Sequence, residues 1–401
     1  MLKEAKKVPA IRFRGFTDDW EQHKLGDVCQ ITMGQSPDGA TYSEEPSDYI
    51  LIQGNADLQN GWVTPRVWTT QKTKMADAGD LIMSVRAPAG AMGKTAYKAV
   101  IGRGVAAIKG NEFIYQTLIK MDSNSYWKRL AAGSTFESIN SDTIFNAEIM
   151  LPSELEQTKI GKIFDSIDDL ITLHQCKLDQ QEKLKKYFLQ NMFPSKGEKV
   201  PKIRLQGFTG DWKQHKLKEI YENIGNAFVG TATPYYTSNG HFYLESNNVK
   251  DGQINREKEV FINDDFYEKQ KDKWLHTGDI VMVQSGHVGN TAVIPSELDK
   301  TAAHALIMFR QAKIKVDPHF LNYQFQTEKA KKSFKNITVG NTIEHILASS
   351  MKEFIVDIPS YIEQQSISHY FKEMDCLINL QQRKLGELQS LKKYMLQKMF
   401  I

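Results

Sequence analysis

LPSELEQTKIGKIFDSIDDLITLHQCKLDQQEKLKKYFLQNMF (151–193) is the stretch whose reading decides the fold. Ile160, Ile163, Ile167, Leu170, Leu184 and Phe188 fall on one seam at heptad spacing, which predicts a long helix that coils against another. Phe164, Ile171, Leu178 and Met192 widen that seam by one flanking position, and His174 and Gln181 interrupt it. Ser153 with Glu156 reads as a capping box at the start, and Pro194 and Gly197 mark the stop. At 1.5 Å per residue, roughly 40 residues make a rod on the order of 60 Å long. Such a rod needs a partner for its apolar stripe.

The partner lies in the same chain. IPSYIEQQSISHYFKEMDCLINLQQRKLGELQSLKKYMLQKMF (358–400) is a second copy displaced by 207 positions, so that Pro152, Glu156, Phe164 and Asp168 return as Pro359, Glu363, Phe371 and Asp375. Its seam is expected at Ile367, Tyr370, Met374, Leu377, Leu388 and Leu391. Two such rods bury about ten apolar side chains each, at roughly 1.5–3 kcal/mol per fully buried side chain. Surface ion pairs at about 0.3–0.5 kcal/mol are too weak to compete. The expected arrangement is an intramolecular antiparallel coiled coil.

A second repeat has a different offset. VPAIRFRGFTDDWEQHKLGDV (8–28) returns as VPKIRLQGFTGDWKQHKLKEI (200–220), displaced by 192 positions. It reads as a docking segment with Phe16 and Trp20 packed under a helix. Between docking segment and rod, each copy holds a strand-rich stretch: YILIQGNADLQNGWV (49–63), GDLIMSVRAPAG (79–90) and GVAAIKG (104–110) in the first, FYLESNNVKDGQI (242–254) and GDIVMVQSGHVGNTAVI (278–294) in the second. A helix follows in each, near 113–131 and 318–335. By the two offsets Met1 falls opposite Phe193 and Ile401 opposite Pro194, a pseudo-two-fold cyclic repeat cut open once. The fold class is α/β (α+β): a first strand-rich domain with its docking segment (1–150), a long helix and linker (151–199), a second such domain (200–357) and a second long helix (358–401).

A chain of 401 residues is too long for one ordinary core. No apolar run approaches the ~20 residues of a membrane span. Cys29, Cys176 and Cys376 do not repeat between the copies, which fits a reducing cytoplasm rather than a disulfide framework. A net charge of +3 is too small to indicate nucleic acid by itself, so a DNA-binding face would require basic groups concentrated locally. GAMGKT (90–95) resembles the end of a phosphate-binding loop, but the position that must be glycine is Pro88. Asp317-Pro318-His319-Phe320 resembles the tetrad of amino-methyltransferases, yet proline is missing at its third position; Asp317 as helix N-cap explains it better. The ten histidines show no metal spacing, and no metal site is expected.

Taken together, LPSELEQTKI, IPSYIEQQSI, GSTFESIN (133–140), GDLIMSVRAPAGAMGKTA (79–96) and the doubled layout resemble the specificity subunit of Type I restriction–modification enzymes over the whole chain. VGNTIEHI (339–346) departs from that pattern, because the familiar triplet reads Gly-Asn-Thr. The resemblance implies a non-catalytic subunit with two target recognition domains, each reading one half of a bipartite double-stranded DNA site. The helices would set the spacer and dock two modification subunits. Methylation, and ATP-driven translocation and cleavage by restriction subunits, would reside in those partners, with S-adenosylmethionine, ATP and Mg bound there and no cofactor here. The alternatives are a self-sufficient DNA adenine methyltransferase and a coiled-coil adaptor without DNA readout.

Base-reading side chains are expected on glycine-flanked loops, where Arg, Asn and Gln can bond bidentately to base edges. The candidates are Gln35, Ser36, Arg86, Lys94, Arg103, Ser134 and Thr135 in the first domain. In the second they are Tyr235, Gln284, Ser285, His287, Asn290, Asn341 and Thr342. Lys72, Lys74, Lys329, Lys331, Lys332 and Lys335 are candidate phosphate contacts.

Overall fold

The computed structural model describes residues 7–131, 138–340 and 344–401. The chain forms two compact units, one of residues 1–177 with 381–401 and one of residues 178–380. Each is thus built from one strand-rich domain, part of one long helix and part of the other.

In the first unit, strand Glu21–Lys24 pairs antiparallel with Glu148–Leu151 and ties the two ends of the domain together. Between them lie two sheets. The larger, among the described residues, runs in the order Gln30–Met33, Val105–Lys109, Leu81–Ser84, Met92–Lys94, Trp62–Val63, Leu58–Gln59. Its central strands are buried on both faces, which explains why LIMS and VAAI read as continuous apolar runs. Period two sorts them: Leu81, Met83, Ala106 and Ile108 face the helices, whereas Ile82, Val105 and Ala107 face the second sheet. The second unit repeats this sorting, with Ile280, Met282, Ile307 and Phe309 on one side and Val281, Val283, Leu306 and Met308 on the other.

The helix expected near 113–131 is broken into Glu112–Ser123 and Tyr126–Leu130. Ser125, at φ +58°, turns the chain left-handed between them. Likewise 318–335 divides into Pro318–Phe325 and Glu328–Ile337, because the Thr327 side chain accepts from the Ala330 N–H and starts a new helix. Asp317 does cap its helix, accepting from the Phe320 N–H at 2.9 Å.

The long helices run Glu154–Asn191 and Tyr361–Met399. In the first unit Lys392 meets Asp168 at 2.6 Å and His174 Nδ1 meets Gln381 Oε1 at 2.7 Å, so the helix segments run antiparallel there. In the second, Lys185 meets Asp375 at 2.6 Å and the Phe188 and Tyr370 rings lie 5.3 Å apart, again antiparallel.

The seam differs from the expected one. Buried or half-buried positions alternate by four and three: Ile160, Phe164, Ile167, Ile171, His174, Leu178, Gln181, Lys185, Phe188, Met192. The second helix follows the same rule from Ile367 and Phe371 through Met374, Ile378, Gln381, Leu385, Leu388, Lys392 and Met395 to Met399. Leu170, Leu184, Leu377 and Leu391, expected in the seam, are 44%, 48%, 50% and 47% exposed, and Ile163 and Tyr370 sit half-buried on its flank. The row through Leu170 and Leu184 supplies only one position per heptad. The row through Phe164 also supplies one, but it continues as Ile171, Leu178 and Met192 where the other meets Lys177 and Asn191, and together with the row through Ile160 it makes the two positions per heptad that a coiled-coil seam requires. His174 therefore does not interrupt the seam but belongs to it, with Gln381 as its partner.

Each docking segment closes its unit by the same contacts. Trp20 packs against Phe113 at 5.4 Å and Phe400 at 6.4 Å; Trp212 packs against Phe320 at 5.5 Å and Phe193 at 6.0 Å. The Ile11 N–H donates to the Lys398 carbonyl (2.9 Å), as the Ile203 N–H does to that of Asn191 (2.8 Å). Phe16, expected beneath a helix, instead lies half-exposed with Lys159 Nζ 4.9 Å from its ring centre. The capping-box glutamates are also used otherwise. Glu156 is held bidentately by Arg12 at 2.7 and 2.8 Å, and Glu363 by Arg204 at 2.8 and 2.9 Å.

Candidate nucleic-acid interface

One rim of each large sheet gathers polar loops, and backbone bonds determine which ones meet. In the first unit the Gly34 N–H donates to the Val105 carbonyl (3.0 Å) and the Gln35 N–H to that of Ile101 (2.8 Å). The Arg103 N–H donates to Ser36 Oγ at 3.1 Å. The Val85 N–H donates to the Gly104 carbonyl, and the Ile139 N–H to that of Val85, each at 2.9 Å. These loops pack backbone to backbone: a Cβ on Gly104 would lie 2.0 Å from the Gln53 carbonyl oxygen, so no side chain fits there. Gln35, Ser36, Arg86 and Arg103 are therefore brought together. Lys72 and Lys74 join them, since Thr73 Oγ1 donates to the Gln35 carbonyl at 2.7 Å. Arg86, Arg103, Lys72 and Lys74 are exposed and, among the described residues, make no ion pair.

The second unit repeats the frame with other side chains. The Ala227 N–H donates to the Leu306 carbonyl (2.8 Å), and the Ile346 N–H to that of Gln284 (2.9 Å). Gln284, Ser285, His287 and Asn290 share the turn between strands Ile280–Val283 and Thr291–Val293. His287 is exposed, whereas Asn290 Nδ2 donates to the Val249 carbonyl at 3.3 Å. The Ser285 hydroxyl is hydrogen-bonded to His345 Nδ1. Val229, 60% exposed, and His304, bonded to the Gly230 carbonyl at 2.9 Å, complete this rim. Ser138, Val229, His304 and His345 were not among the sequence candidates. The 207-residue offset pairs Ser138 with His345, and that offset was their one sequence signal.

A model of the Type I restriction modification DNA specificity domain matches residues 17–183 and again residues 209–390. The chain belongs to the Type I restriction modification DNA specificity family. This specificity subunit is 34% identical to the putative type I restriction enzyme MjaX specificity subunit of Methanocaldococcus jannaschii over 185 residues, which are 45% of this chain and only 44% of that protein. With the MjaVIII specificity subunit of the same organism it shares 23% identity over 392 residues, 94% of this chain and 91% of the other. Among solved structures, the S subunit of a type I system from M. genitalium superposes with a TM-score of 0.69 at 14% identity, covering 98% of this chain and 99% of that one. A chain from a structure on complex assembly and conformational transition of the type I R-M system gives 0.52 at 17% identity, covering 96% and 98%. Both show the same mixed α/β fold.

Three candidates are corrected by their surroundings in this specificity subunit. Lys94 is bound to Glu112 at 2.9 Å and Asp165 at 3.1 Å, over the rings of Trp62 and Tyr115. Burial pulls its ammonium pKa down, but those two carboxylates more than offset this and hold it above its usual range. It fastens the domain to the helix through two of its three donors, with its side chain only 13% exposed, rather than presenting itself to a base or forming the phosphate loop that GAMGKT resembles. Tyr235 lies flat on Phe266, ring centres 4.0 Å apart, within an aromatic cluster. Lys329 bonds Asp357 at 2.6 Å and the Pro194 carbonyl at 3.1 Å, so it is structural. Lys331 pairs with Glu328 at 3.8 Å, while Lys332 and Lys335 are exposed. Ser134, Thr135, Asn341 and Thr342 lie outside the described residues.

The buried titratable groups belong to packing. Burial pushes the Cys29 thiol up to about 11, away from nucleophilic use. Burial also pulls the His319 imidazole down. Among the described residues, no three His, Cys, Asp or Glu gather as metal ligands, and no helix is long and apolar enough to cross a membrane.

Proposed function

We propose that the chain is the DNA-reading component of a type I restriction–modification complex, each rim contacting one half of a bipartite double-stranded site. The observation that carries this reading is the pair of rims: the backbone bonds Gly34 to Val105 and Ile139 to Val85 recur as Ala227 to Leu306 and Ile346 to Gln284, while the side chains on the two frames differ. A reader of two unlike half-sites needs that combination. The subunit itself catalyses nothing in this reading. S-adenosylmethionine, ATP and Mg act in partner subunits, and the complex works in the cytoplasm.

The docking surface proposed for the two modification subunits is an exposed apolar row beside the seam. In the first unit it comprises Leu155, Leu170, Leu173, Leu391 and Tyr394, between 44% and 63% exposed. Every member returns in the second unit, as Ile362, Leu377, Leu380, Leu184 and Tyr187. Exposed apolar side chains that recur at equivalent positions of both units support a protein-binding role for this face. Methylome sequencing of cells with and without a disruption of this gene tests the function. The expected result is loss of one bipartite methylated motif; an unchanged methylome refutes the reading.

A further inference from the structure

One bridged residue pair occupies the same point of both rims. Arg86, two residues beyond strand Leu81–Ser84, bridges Ser138; Ser285, two residues beyond strand Ile280–Val283, bridges His345. Equivalent backbone bonds flank both pairs, Ile139 to Val85 and Ile346 to Gln284, each 2.9 Å. The side chains, however, change places. In the first unit the long polar group stands on the hairpin and serine stands opposite. In the second, serine stands on the hairpin and the imidazole opposite. Each unit thus presents one long hydrogen-bonding side chain beside one serine, from alternate strands of a common frame.

Their donor sets differ. Arg86 is exposed, unpaired among the described residues, and carries a rigid fork of donors with no acceptor. In the major groove only guanine offers two acceptors, O6 and N7, to such a fork. His345 has its Nδ1 occupied by the Ser285 hydroxyl. With that hydroxyl donating, the neutral ring carries its proton on Nε2 and has a single donor to offer. A single donor is accepted by N7 of guanine or adenine and by O4 of thymine, and meets no acceptor on cytosine.

We propose that Arg86 reads a guanine in one half-site, and that His345, oriented by Ser285, reads the corresponding base of the other half-site by excluding cytosine without separating guanine, adenine and thymine. This rests on the rims being the DNA-facing surfaces. The test uses the full chain assembled with its modification subunits and a DNA library randomised in both half-sites, with methylated products sequenced. Arg86→Ala and Arg86→Lys should each lower the preference for guanine at one position of one half-site by about tenfold or more, leaving every other position unchanged. His345→Ala should remove a preference against cytosine at one position of the other half-site. Ser285→Ala should weaken that preference and Ser285→Thr restore it, which a merely structural serine would not do. The exchanged pair Ser285→Arg with His345→Ser should install guanine there. A wild-type complex without sequence preference would overturn the DNA-reading function itself. A selective wild-type complex whose Arg86→Lys and His345→Ala variants melt normally and keep every preference would overturn this assignment alone.

Discussion

Removing the Arg12 side chain should cost more stability than any surface ion pair could. Arg12 reaches the Glu156 carboxylate through Nε and Nη2 at 2.7 and 2.8 Å. The glutamate side chain is 0% exposed and the arginine 14%, so water replaces neither partner. The hydrogen bonds to Glu156 hold the Arg12 guanidinium above its usual range even against burial, as expected of a tight pair. Arg12→Ala strands a buried carboxylate, at a cost of about 3–5 kcal/mol. For a unit of around 200 residues, about 2–4 °C per kcal/mol translates this into a Tm drop of roughly 6–20 °C. Replacing both partners, Arg12→Met with Glu156→Leu, should recover most of the loss, because an apolar pair of similar volume carries no stranded charge. Calorimetry of the full chain would read the shift, and hydrogen exchange around Trp20 would assign it to the first unit. A loss below about 1 kcal/mol for the single variant, or a double variant no better than the single, would refute the reasoning.

Ile167 is buried in the seam, so Ile167→Asp should cost several kcal/mol and prevent complex assembly; wild-type melting and assembly would refute the coil. Exchanging residues 26–150 for the equivalent domain of a relative should change one half of the methylated site only, and a change in both halves would show that the domains do not read independently. Hydrogen bonds from Lys216 and Lys218 hold Glu353 near about 2, below its ordinary 4.5. A depressed carboxylate stabilises above its unfolded value, and that contribution fades as pH falls from about 4.5 towards 2. Glu353→Gln should therefore flatten that stretch of the stability–pH profile, most visibly at low salt. An unchanged profile would show that the pair contributes nothing.

What the sequence by itself determined was everything carried by local period and by repetition. Long helices, strand-rich domains, the Asp317 cap and the doubled plan follow from spacings that any partner would leave intact. Partner choice was a different matter. Two apolar rows run along each rod, and only the packing of the folded unit, its domain core together with the antiparallel neighbour, decides that Phe164 is buried while Leu170 faces outward. Lys94 sits in a glycine-rich loop sequence that suits a phosphate or base contact. Glu112 and Asp165, 18 and 71 residues away, occupy its ammonium instead. Glu156 has the spacing of a capping box, yet an arginine 144 residues earlier in the chain claims both of its oxygens. His345 carried only the 207-residue offset to Ser138 as a signal, and the strand bridge to Ser285 places it on the rim. Period and propensity act over a few residues, so they are legible in sequence. Which of several suitable groups a charge or an apolar row finally meets depends on contacts closed across a hundred residues or more, and those exist only once the chain has folded.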